Sequence, residues 1–441
     1  METVLLYVLG IVIVAVGLAL SIGLHELGHL IPAKRFGVKV GQYMIGFGPT
    51  LFSRRKGETE YGVKLIPLGG YISMSGMYPP AKGGDGARTA STGFLDTLVQ
   101  DARDSSAETI EEGDEDRVFY KLPTHKRIII MLGGPTMNLL IAIVLYAIVL
   151  CGFGIAQYST TLGSVSQCVV TDASQTECTA SDPEAPAAAA GLLPGDRIVS
   201  IDGTAITTWD QASQTIRDSP GTPLRFVVER DGAELTLEVT PLLTERPVAD
   251  ENGRAVVDDN GTTVTQKVGF IGVSPATEKV QQPITAVLPA VWDNSVAVGK
   301  IIVTLPQRLV QVAQAAFGGE QRDPNGPISV VGVGRLAGEV TALDAAPVAD
   351  RAAVLLQMLA ALNVALFVFN LIPLLPLDGG HVAGAIWETI RRRIAKLRGK
   401  PDPGPVDIAK LVPLTLAIVA VLGLSSLLLI YADIVNPVTL G

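Results

Sequence analysis

The chain is short of charge. Asp, Glu, Lys and Arg make up 17% of its 441 residues, where soluble proteins carry about 25%. With a hydrophobic fraction of 48% and a mean hydropathy of +0.39, that shortage excludes an ordinary soluble enzyme and points to a membrane protein. Cysteine is scarce as well, and three residues are too few for a disulfide-rich secreted scaffold. A net charge of −9 is the wrong sign for holding a polyphosphate, which excludes nucleic acid as the main partner. Histidine occurs only four times, so its positions are informative. No internal repeat is visible.

What stands in place of charge is long apolar runs. Leu5–Leu24, Ile128–Gly154, Ala352–Leu377 and Leu411–Ala432 are uncharged, and each reaches the roughly 20 residues that a bilayer core requires. The first begins Met-Glu-Thr, without the basic head of a secretory signal, and has no small-residue cleavage site before His25, so it is read as a retained helix. The segment Ile31–Arg127 holds 14 Lys and Arg, and the stretch after the third run carries Arg391, Arg392, Arg393, Lys396, Arg398 and Lys400. The segment Ile155–Asp350 holds only 12 Lys and Arg in 196 residues. Cations mark the cytoplasmic side, which places the first two segments inside and the third, with both termini, outside.

The expected fold class is a polytopic α-helical membrane protein of four transmembrane helices with an inserted extracytoplasmic α+β domain. Its order is a first transmembrane helix over 1–30, a membrane-associated β-rich loop over 31–77 and a disordered acidic cytoplasmic insert over 78–117. A second transmembrane helix over 118–154 leads to the domain at 160–243 and a variable loop at 244–283. An amphipathic surface helix and connector (284–350), the third transmembrane helix (351–381), a basic cytoplasmic loop (382–410) and the fourth transmembrane helix (411–433) complete it. The insert is placed by its Gly, Ser and Ala content and by six acids between Glu108 and Asp116.

In the outer segment, Ala190-Gly191-Leu192-Leu193-Pro194-Gly195-Asp196-Arg197-Ile198 leads into Ser200-Ile201-Asp202-Gly203. A helix over Trp209–Arg217 and a hairpin turning at Asp231-Gly232 are expected next. This region resembles a PDZ domain, which implies peptide capture by strand addition. Cys168 and Cys178 lie outside the membrane, where disulfides persist, and are expected to pair. Cys151 is read as a packing residue of the second helix.

His25-Glu26-Leu27-Gly28-His29 ends the first apolar run. Residues four apart share a helix face, so both imidazoles can bind one metal ion while Glu26 stands beside it to accept a proton. An ionisable cluster at the end of a membrane helix is costly, which marks it as functional. A catalytic zinc takes three protein ligands, and the third run ends in Asn370-Leu371-Ile372-Pro373-Leu374-Leu375-Pro376-Leu377-Asp378-Gly379-Gly380-His381. Asp378 is the first charge after 26 uncharged residues, and a carboxylate at membrane depth wants a cation. His381 could also reach the ion. Asp378 is preferred, and His125 is read as a surface residue.

The H-E-L-G-H run with the N-x-x-P-x-x-P-L-D-G-G run resembles the site-2 protease family of intramembrane zinc metalloproteases, most closely its bacterial branch that cleaves anti-sigma factors. Pro67-Leu68-Gly69-Gly70-Tyr71, Gly133-Gly134-Pro135 with Asn138, and Gly326-Pro327-Ile328 match it too. The resemblance implies one zinc per chain held by His25, His29 and Asp378, with Glu26 as general base. It also implies single-pass membrane substrates such as anti-sigma factors, cut in the plasma membrane near its cytoplasmic side. Asn138 and Asn370 are assigned to holding the substrate strand or the oxyanion, the alternative being that they satisfy backbone groups freed by the neighbouring prolines. The best-known relatives carry two PDZ domains and this chain one, and the acidic insert is outside the family's core pattern. The competing reading is a catalytically inactive membrane scaffold acting through its PDZ domain. A metal transporter is disfavoured because the second and fourth runs hold no ionisable group.

Overall fold

The computed structural model describes residues 2–79, 94–169, 178, 182–248, 263–318, 322–323, 326–344 and 346–438. They form two compact units, Met1–Phe153 with Gln282–Gly441, and Gly154–Gln281. In the first unit, α1 (Glu2–Arg35) has 34 residues and so rises about 51 Å. That exceeds the roughly 30 Å of a bilayer's hydrocarbon, and the surplus ends in Lys34 and Arg35. β1 (Val40–Lys56) and β2 (Thr59–Met74) follow. Their near ends make an antiparallel hairpin, Lys56 opposite Thr59 and Thr50 opposite Lys64. Further back, Tyr43 of β1 has Tyr61 of β2 as one partner and Ile72 as another, so the long strands fold into one irregular sheet. The Tyr43 hydroxyl donates to the Gly23 carbonyl at 2.6 Å and ties this sheet to α1.

α2 (Phe94–Glu108) stands where a disordered insert is expected. The difference has an electrostatic cause. Lys39 contacts Glu111 at 2.6 Å and Asp114 at 2.7 Å, and Arg117 contacts Glu58 at 2.8 Å and Asp114 at 3.0 Å. Arg103 of α2 pairs with Asp407, ahead of the last helix. The acid run thus meets Lys39, and α2 meets Asp407, from distant sequence, which composition cannot reveal. Residues 80–93 of the insert lie outside the described residues. α3 (Thr124–Ala147) then continues through a wider turn to Phe153.

The second unit contains β3 (Ile155–Val165), α4 (Pro186–Ala189), β4 (Arg197–Ile201), β5 (Thr204–Ala205) and α5 (Trp209–Arg217). It goes on with β6 (Leu224–Arg230), β7 (Ala233–Val239), β8 (Leu242–Pro247), β9 (Thr265–Phe270) and β10 (Val273–Val280). The main sheet runs β10–β3–β4–β6–β7 with β5 beside β4, and β8 pairs with β9. Thr208 caps α5 by accepting the Gln211 amide. Asp231 and Gly232 turn the β6–β7 hairpin at φ of 53° and 79°, the left-handed pair that a two-residue turn needs. Leu162, Leu192, Ile198 and Phe226 fill the core. Cys168 and Cys178 form a disulfide. The stretch expected as a variable loop, 244–283, supplies β9 and β10, and 249–262 within it lies outside the described residues. Polar faces and Pro275 hide the alternation there.

α6 (Val287–Gly318), α7 (Val330–Ala342), α8 (Val348–Asn370), α9 (Asp378–Leu397) and α10 (Val412–Val435) complete the first unit. Among the described residues, five helices are long and apolar enough to cross a membrane: those of the four runs, and α6. The best window of α6 has a mean hydropathy of 1.4, against 2.3 to 2.8 for the others. Asp293, Lys300 and Arg308 interrupt it, which is why a search for uncharged runs passes it over. The basic stretch after the third run is largely a helix, α9, rather than a loop, because no proline or glycine interrupts it between Gly384 and Gly399.

Asp196 is 1% exposed. It accepts from Arg230 Nε at 2.6 Å, from Nη2 at 2.7 Å and from the Leu193 amide at 2.9 Å. Burial pushes its carboxyl up, but the Arg230 guanidinium and the Leu193 amide outweigh that and hold it below the usual range. Asp196→Asn should cost this unit about 2 kcal/mol near neutral pH, read as faster amide exchange in β4 of the full chain. The carboxylate's contribution is complete above the unfolded value near 3.9 and is lost as pH falls through the lower folded value. The difference between variant and wild type should therefore vanish in acid.

Candidate metal centre

His25 and His29 lie one turn apart on α1, and Asp378 is the first residue of α9. The break between α8 and α9 makes this meeting possible. Pro373 and Pro376 cannot continue a helix, and Gly379 and Gly380 let the broken segment fold back, since a Cβ on them would lie 2.3 Å from the Ile372 carbonyl and 2.6 Å from the Leu375 nitrogen. His25 Nε2 and His29 Nε2 are 3.2 Å apart. Asp378 Oδ2 stands 3.4 Å from the first and 3.3 Å from the second.

These spacings suit a metal ion. Ligand atoms about 2.0–2.1 Å from a tetrahedral zinc lie about 3.3 Å from each other. Apart from the two imidazole nitrogens, Asp378 Oδ2 has no partner among the described residues, and a buried carboxylate oxygen without a cation is costly. His25, His29 and Asp378 are the group among the described residues able to hold an ion. His381 is not in it. It sits one turn further along α9, edge-on to Phe119 at 6.4 Å between ring centres. His125 is exposed at the start of α3.

α3 forms the wall of the centre. Gly28 of α1 and Gly133 of α3 meet so closely that a Cβ on Gly28 would lie 2.3 Å from the Gly133 carbonyl oxygen. One residue on, a Cβ on Gly134 would lie 2.2 Å from His29 Nε2 and 2.7 Å from His25 Nε2. α3 also orients both rings. His29 Nδ1 is 2.7 Å from the Ile130 carbonyl, to which it donates, leaving Nε2 free to bind. His25 Nδ1 lies 3.1 Å from Asn138 Nδ2, and the buried Asn138 Oδ1 is without a partner among the described residues. Exchanging the amide O and N of Asn138, an assignment that also gives Oδ1 a partner, lets His25 Nδ1 donate and leaves its Nε2 likewise free.

The two asparagines expected to hold substrate are placed differently from each other. Asn138, 1% exposed, touches a ring of the centre. Asn370 donates to the Leu366 carbonyl within α8 at 3.0 Å. Glu26 follows His25 and is covered by β2, where a Cβ on Gly70 would lie 2.9 Å from Glu26 Cγ.

Sequence reasoning did not find the pair that holds α9 to α3. Glu388 is 1% exposed. It forms ion pairs with Arg127 at 2.6 Å and Arg392 at 3.0 Å and accepts from the Val406 amide at 3.0 Å. Arg127 is one turn before Ile130, so α3 fixes His29 with one residue and the helix of Asp378 with another. The available signal was Glu388 itself, the one acid between Asp378 and Asp402 in a cation-rich stretch.

The sequence profile of peptidase family M50 matches residues 13–412. The chain is 36% identical over 447 residues to zinc metalloprotease Rip1 of Mycobacterium tuberculosis, an alignment covering 99% of this chain and 100% of that protein. It is 30% identical over 386 residues to metalloprotease MmpA of Caulobacter vibrioides, covering 85% of each. It is 27% identical over 421 residues to zinc metalloprotease RasP of Geobacillus kaustophilus, covering 83% of this chain and 86% of that protein.

Gly134→Ala puts a methyl group among the ligand atoms, so bound zinc should fall well below one per chain while helical circular dichroism is kept. Asn138→Ala should weaken zinc binding by roughly 10–100-fold, measured by chelator competition. Glu388→Ala leaves Arg127 buried without its partner and should cost about 3 kcal/mol in denaturant unfolding.

Proposed function

Since the chain belongs to peptidase family M50, the site-2 proteases, and is a zinc metalloprotease, we propose that His25, His29 and Asp378 hold its zinc and that Glu26 is its general base. The observation that carries this is the triangle of His25 Nε2, His29 Nε2 and Asp378 Oδ2, with sides of 3.2 to 3.4 Å. Zinc, when bound, supplies Lewis acidity, polarising the scissile carbonyl and acidifying water toward neutral pH. The protein does the rest. Glu26 takes the proton of the attacking water and later gives it to the leaving amine. Asn138 and Ile130 hold the imidazoles, so Asn138 acts as a positioning residue and Asn370 as a structural one.

A substrate helix hides its carbonyls in its own hydrogen bonds and must unwind before it is cut. The last stretch of β2, from Gly70 to Met74, pairs with β1 along one edge, and Gly70 lies against Glu26. Its other edge is suited to receive the unwound segment by strand addition. The substrates are single-pass membrane proteins such as anti-sigma factors, consistent with a centre built at the end of a membrane helix.

The rest of the chain is read in the same frame. α1, α3, α8 and α10 are the spans, because their crossings put the cations of Ile31–Arg127 and of α9 on one side. α6 then lies at the opposite surface, and the enzyme sits in the plasma membrane with its 154–281 unit outside. That unit is PDZ-like. Its groove of about 360 Å³ runs between α5 and the β9–β10 turn, walled by Trp209, Ile216 and Phe270 with Arg217 and Arg246 at its side, and it fits an extended peptide.

Glu26→Gln should keep one zinc per chain and lower the cleavage of single-span test substrates by at least about 100-fold. Removal of zinc by a chelator should abolish wild-type cleavage, and added zinc should restore it. Undiminished cleavage by the Glu26 variant would overturn the assignment.

A further inference from the structure

α9 presents to solvent a face that the metal centre does not use. Its buried residues, Ala385 and Glu388, face the protein. At about 100° per residue, Ile386, Ile390, Ile394 and Leu397 line the opposite face, and they are 47%, 43%, 40% and 86% exposed. Trp387 beside them is 56% exposed. Arg393 and Arg398 border this stripe on its two sides, with Lys396 and Lys400 close by, and all four are exposed with no acidic partner among the described residues. The helix is not one of those apolar enough to cross a bilayer.

A row of exposed isoleucines is costly in water, yet this helix cannot bury it by spanning. An apolar stripe edged by Arg and Lys, with a Trp at its margin, suits a helix lying in the bilayer interface. Four unpaired cations add the charge that complements anionic headgroups. The β1–β2 hairpin repeats the combination. Leu51 and Phe52 are 64% and 67% exposed and are followed by Arg54, Arg55 and Lys56.

We propose that α9 is seated on an anionic membrane leaflet, and that this contact holds Asp378 against His25 and His29, so that headgroup charge controls how firmly the centre keeps its metal. The link is mechanical. Asp378 opens α9, so a change in the helix's tilt carries the carboxylate with it, and the Arg127–Glu388 pair three turns on is the pivot. The part concerning Asp378 rests on the ligand assignment above, whereas the lipid seat does not.

The test uses the full-length protein in nanodiscs of phosphatidylcholine, pure or mixed with phosphatidylglycerol. Brominated lipid should quench tryptophan emission, and Trp387→Phe should remove that part of the quenching. Zinc retention against a chelator should be at least about fivefold greater with the anionic lipid, the low end of ordinary coupling between two sites. Arg393→Gln, Lys396→Gln, Arg398→Gln and Lys400→Gln combined should abolish that difference. Soluble glycerol phosphate added to pure phosphatidylcholine discs should not reproduce it, which separates a bilayer from a free phosphate. Absence of Trp387 quenching overturns the proposal, as it would if a protein partner covered this face. Quenching with equal zinc retention in both lipids overturns the control of the centre. A chain that binds no zinc in either lipid contradicts the ligand assignment and leaves the quenching result to stand by itself.

Discussion

The backbones of α1 and α3 touch at Gly28 and Gly133, where a Cβ on either residue would fall 2.3 or 2.0 Å from the other's carbonyl oxygen. A bilayer provides no hydrophobic drive for one helix to meet another, so close van der Waals approach between small residues must do that work. Because the two axes come this near, three α3 groups reach the histidines of α1. The Gly134 backbone closes one side of the centre, the Ile130 carbonyl orients His29, and Asn138 faces His25. Any side chain at the crossing would separate the rings from the groups that orient them.

The third group of the triangle, Asp378, depends on that same wall by a different route. Asp378 comes from a helix that starts only after a proline-broken turn, with no continuous backbone to hold its position relative to α1. What fixes it is the buried Arg127–Glu388 contact of 2.6 Å, supported by the Val406 amide. A buried ion pair is weak evidence for stability. Here its value is positional, since α3 sets both the imidazoles and the helix that brings the carboxylate. The outer face of α9 is left for the lipid.

Much of the periphery obeys the same distinction between local and long-range cause. The hairpin turn at Asp231-Gly232 was legible, because two residues at positive φ need that local chemistry. The helix at 94–108 was not, because what ties it down is long-range: its Arg103 pairs with Asp407, and the acid run after it meets Lys39. β9 and β10 were missed for a related reason. They are short strands of mixed polarity whose pairing with β8 and β3 is decided by partners and not by their own composition. α6 was legible as a helix, and its three charges are what set it apart from the uncharged runs.

The sequence by itself determined the elements whose signals are local: the apolar lengths of α1, α3, α8 and α10, the helical spacing that puts His25 and His29 on one face, and the break that leaves Asp378 at a helix start. Chemistry of that kind is written within a few consecutive residues. Only the tertiary structure decided which groups complete the centre. Gly134, Ile130 and the Arg127–Glu388 pair act through distances between helices, and Asn138 and Asn370, alike in sequence, were separated into a ring-facing residue and a residue bonded within its own helix. Packing sets those distances at a precision of tenths of an ångström, and no spacing along one chain encodes it.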